Sequence, residues 1–235
     1  MRVGIPSPNV VEDMNGLPQA KDFPALLHQY SWDANHAAFG WPPDTLANGF
    51  AWIVSLEERF AEAAERGDLP VQRVAELILW GGNQNNILRN FSQGIRDNNE
   101  YDILSRRVID QLDNPGEAIQ AALAFRGLGL AYASKLLRFC RPSVYGALDG
   151  RIRTRLGGNL PTIRAGNIIL MQTGYLAFLR ITDSYKQVLR EHQIIRPAYG
   201  PRGSSLDWTV AEVEMALFAW ASNIPKSGES TGGTH

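Results

Sequence analysis

Apolar residues recur every three to four positions through most of this chain, and no segment alternates with the period of two that marks a half-buried strand. The pattern predicts an all-α fold. Helices are expected over 44–66, with Asp44 or Thr45 as cap, and over 71–81, where Gly67-Asp68-Leu69-Pro70 separates the two. Further helices are expected over 101–112, stopped by Asp113-Asn114-Pro115-Gly116, and over 115–125, with Glu117 at the positive end of the dipole. The pattern then breaks at Gly127-Leu128-Gly129 and resumes in LAYASKLLRF. It breaks again at Arg141-Pro142-Ser143, and a short helix is expected to start at Asp149-Gly150. Later helices are expected over 164–180, 183–192 and 207–222, the last capped by Asp207 or Thr209. The residues after Pro225 are polar and of low complexity, which predicts a disordered tail over 226–235.

The glycine pair carries chemistry. Two glycines around one apolar residue allow a tight helix-to-helix hairpin, and the helix that follows presents unpaired N–H groups and a positive dipole end. Such a turn suits a phosphate, with Leu128 plugging the hairpin; an ordinary helical turn has the same pattern. The formal net charge of −1 is uninformative, but its distribution is not. Residues 126–164 hold eight basic residues (Arg126, Lys135, Arg138, Arg141, Arg151, Arg153, Arg155 and Arg164) and one acid, Asp149, a local balance of +7. The alternative is a surface whose partner acids come from elsewhere in the fold. The single cysteine, Cys140, excludes an intrachain disulfide, a zinc ribbon and a four-cysteine cluster, and reads as a buried structural thiol. No apolar run is long enough for a membrane span or a signal peptide, so a cytoplasmic protein without a membrane partner is expected.

The stretch FRGLGLAYASKLLRF followed by VYGALDGRIRTRL resembles the core signature of helix-hairpin-helix DNA glycosylases, a hairpin, a helix, a loop and an aspartate at the start of a short helix. LWGGNQNNILR resembles the Asn-rich stretch of the 8-oxoguanine glycosylases. The resemblance covers roughly residues 75–160. It implies a bilobal fold, with residues 70–160 as the lobe holding hairpin and aspartate and residues 1–69 plus 161–225 as the other. It implies duplex DNA as partner, a monomer, and a modified base flipped out for excision. Asp149 takes the catalytic role, stabilising the positive sugar or orienting water; the competing role is that of a helix cap, and one residue serves both. Gly127, Leu128, Gly129, Leu130 and Ala131, with Lys135, Arg151 and Arg153, are the expected DNA contacts. The carbonyls of Leu123, Phe125 and Leu128 are the aligned positions for a monovalent cation, Na+ or K+; no cofactor is otherwise required.

One position departs from the family. Members that cleave the strand carry a Schiff-base lysine two residues after the second hairpin glycine, where this chain has Ala131. Lys135 lies one turn later and is expected as a phosphate contact or an exposed lysine, with a lyase role as the alternative. A monofunctional enzyme is therefore expected. Asn83, Gln84, Asn85, Asn86 and Arg89 have the donors and acceptors to enter the duplex and contact a widowed base, or form a polar loop after Gly81-Gly82. Trp32, His36, Phe39, Trp41, Trp208 and Phe218 are candidates to stack on a flipped base, although aromatics more often fill cores. Two substrates fit: glucosylated hydroxymethylcytosine of phage DNA, in antiviral defence, and oxidised guanine, in DNA repair by base excision. A non-enzymatic DNA-binding module is the reading from another class.

Overall fold

The computed structural model describes residues 16–32, 49–95 and 97–223, and for 49–52 the backbone alone. The expected helix start at 44–48, the pocket candidates His36, Phe39 and Trp41, and the tail 226–235 lie outside the described residues. Those described are mostly helical and contain no strand; the sole pairings outside helices are the isolated bridges Arg196–Ser205 and Tyr199–Arg202. The order is α1 (Phe23–Gln29), α2 (Gly49–Glu65), α3 (Val71–Trp80), α4 (Ile87–Gly94), α5 (Asn98–Asp110), α6 (Pro115–Leu123), α7 (Leu130–Cys140), α8 (Gly150–Leu156), α9 (Ile168–Glu191) and α10 (Val210–Ser222).

Most boundaries follow the predicted stops and caps. Thr209 Oγ1 accepts from Glu212 N–H, and the Glu212 carboxylate accepts from Thr209 N–H, a capping box that makes Thr209, not Asp207, the start of α10. Three elements differ from expectation. The two helices expected at 164–180 and 183–192 are one continuous α9 starting at Ile168, capped by Asn167, whose side chain accepts from Leu170 N–H at 3.0 Å. Nothing between Arg180 and Asp183 breaks a helix, and Thr182 turns its hydroxyl back onto the Leu179 carbonyl at 2.9 Å instead of capping a new start. Helix α4 grows out of the Asn-rich run, with Asn83 Oδ1 accepting from Leu88 N–H at 2.9 Å and Phe91 anchoring it in the core. Helix α1 was not among the expected elements, although Pro24 stands in its first turn and Phe23, Leu26, Leu27 and Tyr30 have helical spacing.

Helices α6 and α7 form the two arms of the hairpin. Helix α7 also packs on α2 and α3, and α10 packs on α1, α8 and α9. The ten residues Tyr132–Cys140 plus Leu130 on α7 are all buried, so this helix is the axis of the core. Phe139 meets Phe60 at 5.6 Å and Trp80 at 5.0 Å between ring centres. Each such fully buried ring contributes about 1.5–3 kcal/mol relative to exposure. Among the described residues no helix is long and apolar enough to cross a membrane.

Candidate active site

The hairpin between α6 and α7 is built on its two glycines in different ways. Gly127 has φ +92°, and a Cβ there would come within 2.8 Å of the Phe91 nitrogen and 2.9 Å of the Asn90 carbonyl carbon, so a side chain is excluded both by conformation and by the backbone of α4. Gly129 has ordinary angles, caps α7, and has open space where a Cβ would be. Leu128 between them is buried and its N–H closes the turn onto the Phe125 carbonyl at 3.1 Å. The hairpin is thus clamped on one side and open on the other, in front of the free N–H groups of an eleven-residue helix.

Beside it opens a cleft of about 710 Å³. Helix α7 supplies Ala131, Tyr132 and Lys135; the start of α8 supplies Asp149, Gly150, Arg151, Arg153 and Thr154; Trp32, Gly81, Gln84, Ala221 and Ser222 complete it. Asp149 is delivered by a loop tied down at successive points. Tyr145 donates to the Leu112 carbonyl at 2.6 Å, Tyr175 donates to the Gly146 carbonyl at 3.0 Å, and Leu148 N–H donates to Ser134 Oγ at 2.9 Å. Asp149 itself is 9% exposed, and its Oδ1 accepts from Ile152 N–H at 2.9 Å, capping α8. Cap and cleft carboxylate are the same residue: Asp149 also accepts Arg153 N–H at its main-chain carbonyl at 3.0 Å, and among the described residues its carboxylate takes no second hydrogen bond.

Lys135 is not the exposed lysine expected from its spacing. It is 6% exposed, and Nζ lies 4.6 Å from the centre of the Trp32 ring, 5.0 Å from Tyr132 and 5.6 Å from Trp80. The last carbonyls of α3 hold this box together: Trp32 Nε1 donates to the Trp80 carbonyl at 2.7 Å and the Tyr132 hydroxyl to that of Gly81 at 2.9 Å. No carboxylate pairs directly with Lys135 among the described residues. Burial lowers its proton affinity, opposed at longer range by Asp149 and Glu214 and reinforced by Arg138 and Arg151.

The Asn-rich run forms a single 3₁₀ turn, Gln84–Asn86, in which Asn83, Asn85 and Asn86 all have left-handed φ, from 44° to 57°. Asparagine tolerates this conformation best among residues with a side chain, yet three in four positions is a local store of strain. Gln84 lines the cleft, Asn83 caps α4, and Asn85, Asn86 and Arg89 are exposed. Of the aromatic candidates, Trp32 lines the cleft and Phe218 lies behind it, 5.5 Å from Trp32 and 5.2 Å below the Arg151 guanidinium. Trp208 lies elsewhere: it packs edge-on to Phe23 at 6.1 Å, donates to the Ile194 carbonyl, and borders a separate cleft of about 360 Å³ with Asp183, Lys186 and Arg190. Arg151 and Arg153 are exposed at the cleft, and Arg155 stacks on Trp220 at 5.0 Å.

The excess charge of 126–164 is partly answered from outside that span. Arg141 pairs with Asp113. Arg138, 1% exposed, pairs with Glu57 at 2.9 Å and Glu214 at 3.2 Å; Arg202 pairs with Glu57 at 2.7 Å; Arg196 pairs with Glu212 at 3.2 Å, which also accepts from the Tyr199 hydroxyl at 2.6 Å. Sequence reasoning missed this network. The signal for it was there: Glu57, Glu212 and Glu214 occupy positions on α2 and α10 where helical spacing calls for apolar residues. Comparison with known proteins returns no match, whether to a family model, a curated protein or a solved structure.

Proposed function

We propose that this chain is a bilobal helix-hairpin-helix DNA glycosylase that binds duplex DNA, receives a flipped, modified base in the cleft at Asp149, and hydrolyses its N-glycosidic bond. The observation that carries the reading is a buried carboxylate that caps its helix through one oxygen and lines a cleft, next to a hairpin clamped behind and open in front. Positive charge develops on the sugar as the bond breaks, and a fixed carboxylate in a partly dry site stabilises it without reorganising. The hairpin N–H groups take a phosphate, Arg151 and Arg153 extend the positive surface, and Gln84 with the strained Asn turn stands where the vacated stack is to be filled. Trp32 and Tyr132 offer faces to the base. A cleft of about 710 Å³ has room for a base with a bulky polar substituent, such as a glucosylated hydroxymethylcytosine, as well as for a flat oxidised guanine. The carbonyls of Leu123, Phe125 and Leu128 are the positions that would hold a weakly bound Na+ or K+; that of Phe125 already accepts Leu128 N–H at 3.1 Å.

A second reading concerns Lys135. Its place in the same cleft as Asp149, its burial and its lowered proton affinity are what an amine nucleophile needs, and favour a lyase step after excision. Wild type and Asp149→Asn incubated with duplexes carrying lesions or glucosylated hydroxymethylcytosine decide between these readings. Breaks that need alkali and vanish in the variant support hydrolysis alone. Breaks without alkali, with borohydride trapping lost in Lys135→Ala, support the lyase. Salt-sensitive binding by both proteins with no breaks means a DNA-binding module without chemistry.

A further inference from the structure

The box around Lys135 supplies ring faces and no hydrogen-bond acceptor. Nζ lies 4.6, 5.0 and 5.6 Å from the ring centres of Trp32, Tyr132 and Trp80. Ring faces attract the charge, but they do not replace the oxygen acceptors that the N–H groups of an ammonium find in water. Lys135 is 6% exposed and lines the cleft, and among the described residues its Nζ makes neither a hydrogen bond nor an ion pair. The polar atoms of the rings themselves are committed elsewhere: Trp32 Nε1 donates to the Trp80 carbonyl at 2.7 Å and the Tyr132 hydroxyl to the Gly81 carbonyl at 2.9 Å. Position 81 is held to glycine by the same packing, because a Cβ there would come within 2.6 Å of the Tyr132 ring. Both ring donors are thus spent on the end of α3, which leaves Lys135 as the donor of this wall. Its placement relative to Asp149 is fixed as well: Leu148 N–H donates to Ser134 Oγ at 2.9 Å, so the residue before Asp149 is bonded to the residue before Lys135.

We infer that Lys135 is the specificity-determining donor of the cleft: it hydrogen-bonds an oxygen acceptor on the inserted base and disfavours a base that presents only N–H groups to it. Water can satisfy the lysine from the cleft side, and an occupant that displaces this water must bring an acceptor of its own or leave buried donors unpaired. Stacking on Trp32 and Tyr132 tolerates every base, because every base has a π face; a buried donor that must be paired does not. The inference rests on the glycosylase reading and adds to it the class of base, one whose modification brings an oxygen into the cleft. That oxygen has two sources: a ring carbonyl, as in oxidised guanine, or a hydroxyl of a sugar substituent, as in glucosylated hydroxymethylcytosine.

The test is binding of the full chain to short duplexes that hold one nucleotide made uncleavable by a 2′-fluoro group, which withdraws electrons from the sugar and keeps the bond intact. The nucleotide carries 8-oxoguanine, glucosylated hydroxymethylcytosine, or the unmodified parent of either, and affinity is read by fluorescence anisotropy. Wild type is expected to prefer one modified duplex over its parent by about 10–100-fold, and which one it prefers identifies the source of the oxygen. Lys135→Met, which keeps the apolar contacts of the box, is expected to lose that preference and to bind the parent duplexes as wild type does. A preference retained in Lys135→Met, as for a lysine that acts as nucleophile alone, overturns the inference. So does an equal loss of affinity for all four duplexes with a shallower salt dependence, the mark of a phosphate contact. A wild type that binds duplex without preference overturns it too. Where Lys135→Met does not fold, the Lys135 Cε resonance of isotopically labelled wild type, told apart from those of Lys21, Lys186 and Lys226, is followed instead. A shift with the modified duplex and not with its parent supports the inference, and identical spectra overturn it. Each of these failures leaves the glycosylase reading standing, whereas a chain that binds no duplex removes both.

Discussion

Lys135 and Arg138 sit one turn apart on the same helix and are buried to nearly the same degree, yet their surroundings are opposite. Arg138 is gripped by two carboxylates within hydrogen-bonding distance and belongs to an ionic chain that ties α2, α7, α10 and the 196–205 segment together. Lys135 has three aromatic faces and no carboxylate in contact among the described residues. A charge kept for folding is neutralised where it stands, because the cost of burying it alone is several kcal/mol. A buried amine without a contact carboxylate, on the wall of a cleft, has the surroundings of a functional-site candidate and not of a folding ion pair.

The contrast is sharpest under mutation. Arg138→Leu leaves Glu57 and Glu214 buried without their cation, and is expected to cost about 3–5 kcal/mol in chemical denaturation. Lys135→Met, which keeps the apolar contacts of the box, is expected to leave the denaturation midpoint near that of wild type. A comparable loss from both would erase the distinction. Asp149→Asn is next in size: an asparagine caps a helix as well as an aspartate, so stability holds, while single-turnover base excision falls by about 10²–10³.

Gly127 and Gly129 extend the comparison to the hairpin. Gly127→Ala meets the backbone of α4 at positive φ and is expected to cost about 1–3 kcal/mol of stability. Gly129→Ala meets nothing in the free protein, so its melting curve stays in place while DNA affinity drops, as fluorescence anisotropy at fixed salt reads out. Equal effects of the two on stability would mean that the outer face of the hairpin is not reserved for a ligand.

The smallest effect is in pH. The folded-state proton affinity of Glu214 is raised, so the folded protein holds this proton more tightly than the unfolded chain. Its contribution is fully present below the ordinary glutamate range and is lost as pH rises through about 7. Glu57 moves in the same direction through burial. Melting temperatures of wild type should therefore fall relative to Glu214→Gln as pH rises from 4.5 to 7, and parallel curves would place Glu214 in an ordinary environment.

The hairpin and Asp149 were legible because their cause is local. Two glycines, a following apolar helix and a carboxylate before Gly150 specify a turn and a cap without help from distant chain. The burial of Lys135 was not legible because its environment is not local: spacing places it one turn from the hairpin, but its burial comes from Trp32, about a hundred residues earlier, and from Trp80 at the end of α3. The same holds for the acids that answer Arg138. Helix α9 is continuous where two helices were expected, with the Thr182 hydroxyl bonded back to the Leu179 carbonyl inside it. The Asn-rich run was read as polar loop or base contact, and it serves as strained turn and helix cap together.

The seat of Gly127 on α4 has a mechanical consequence. The Gly127 side of the hairpin packs directly on the Asn90–Phe91 backbone of α4, and the first turn of that helix is capped by Asn83 in the strained turn. Hairpin and Asn turn are therefore braced by one short helix, α4. Edges braced this way share one support: on the proposed function, they meet a double helix as a single preset surface and not as two separately moving loops.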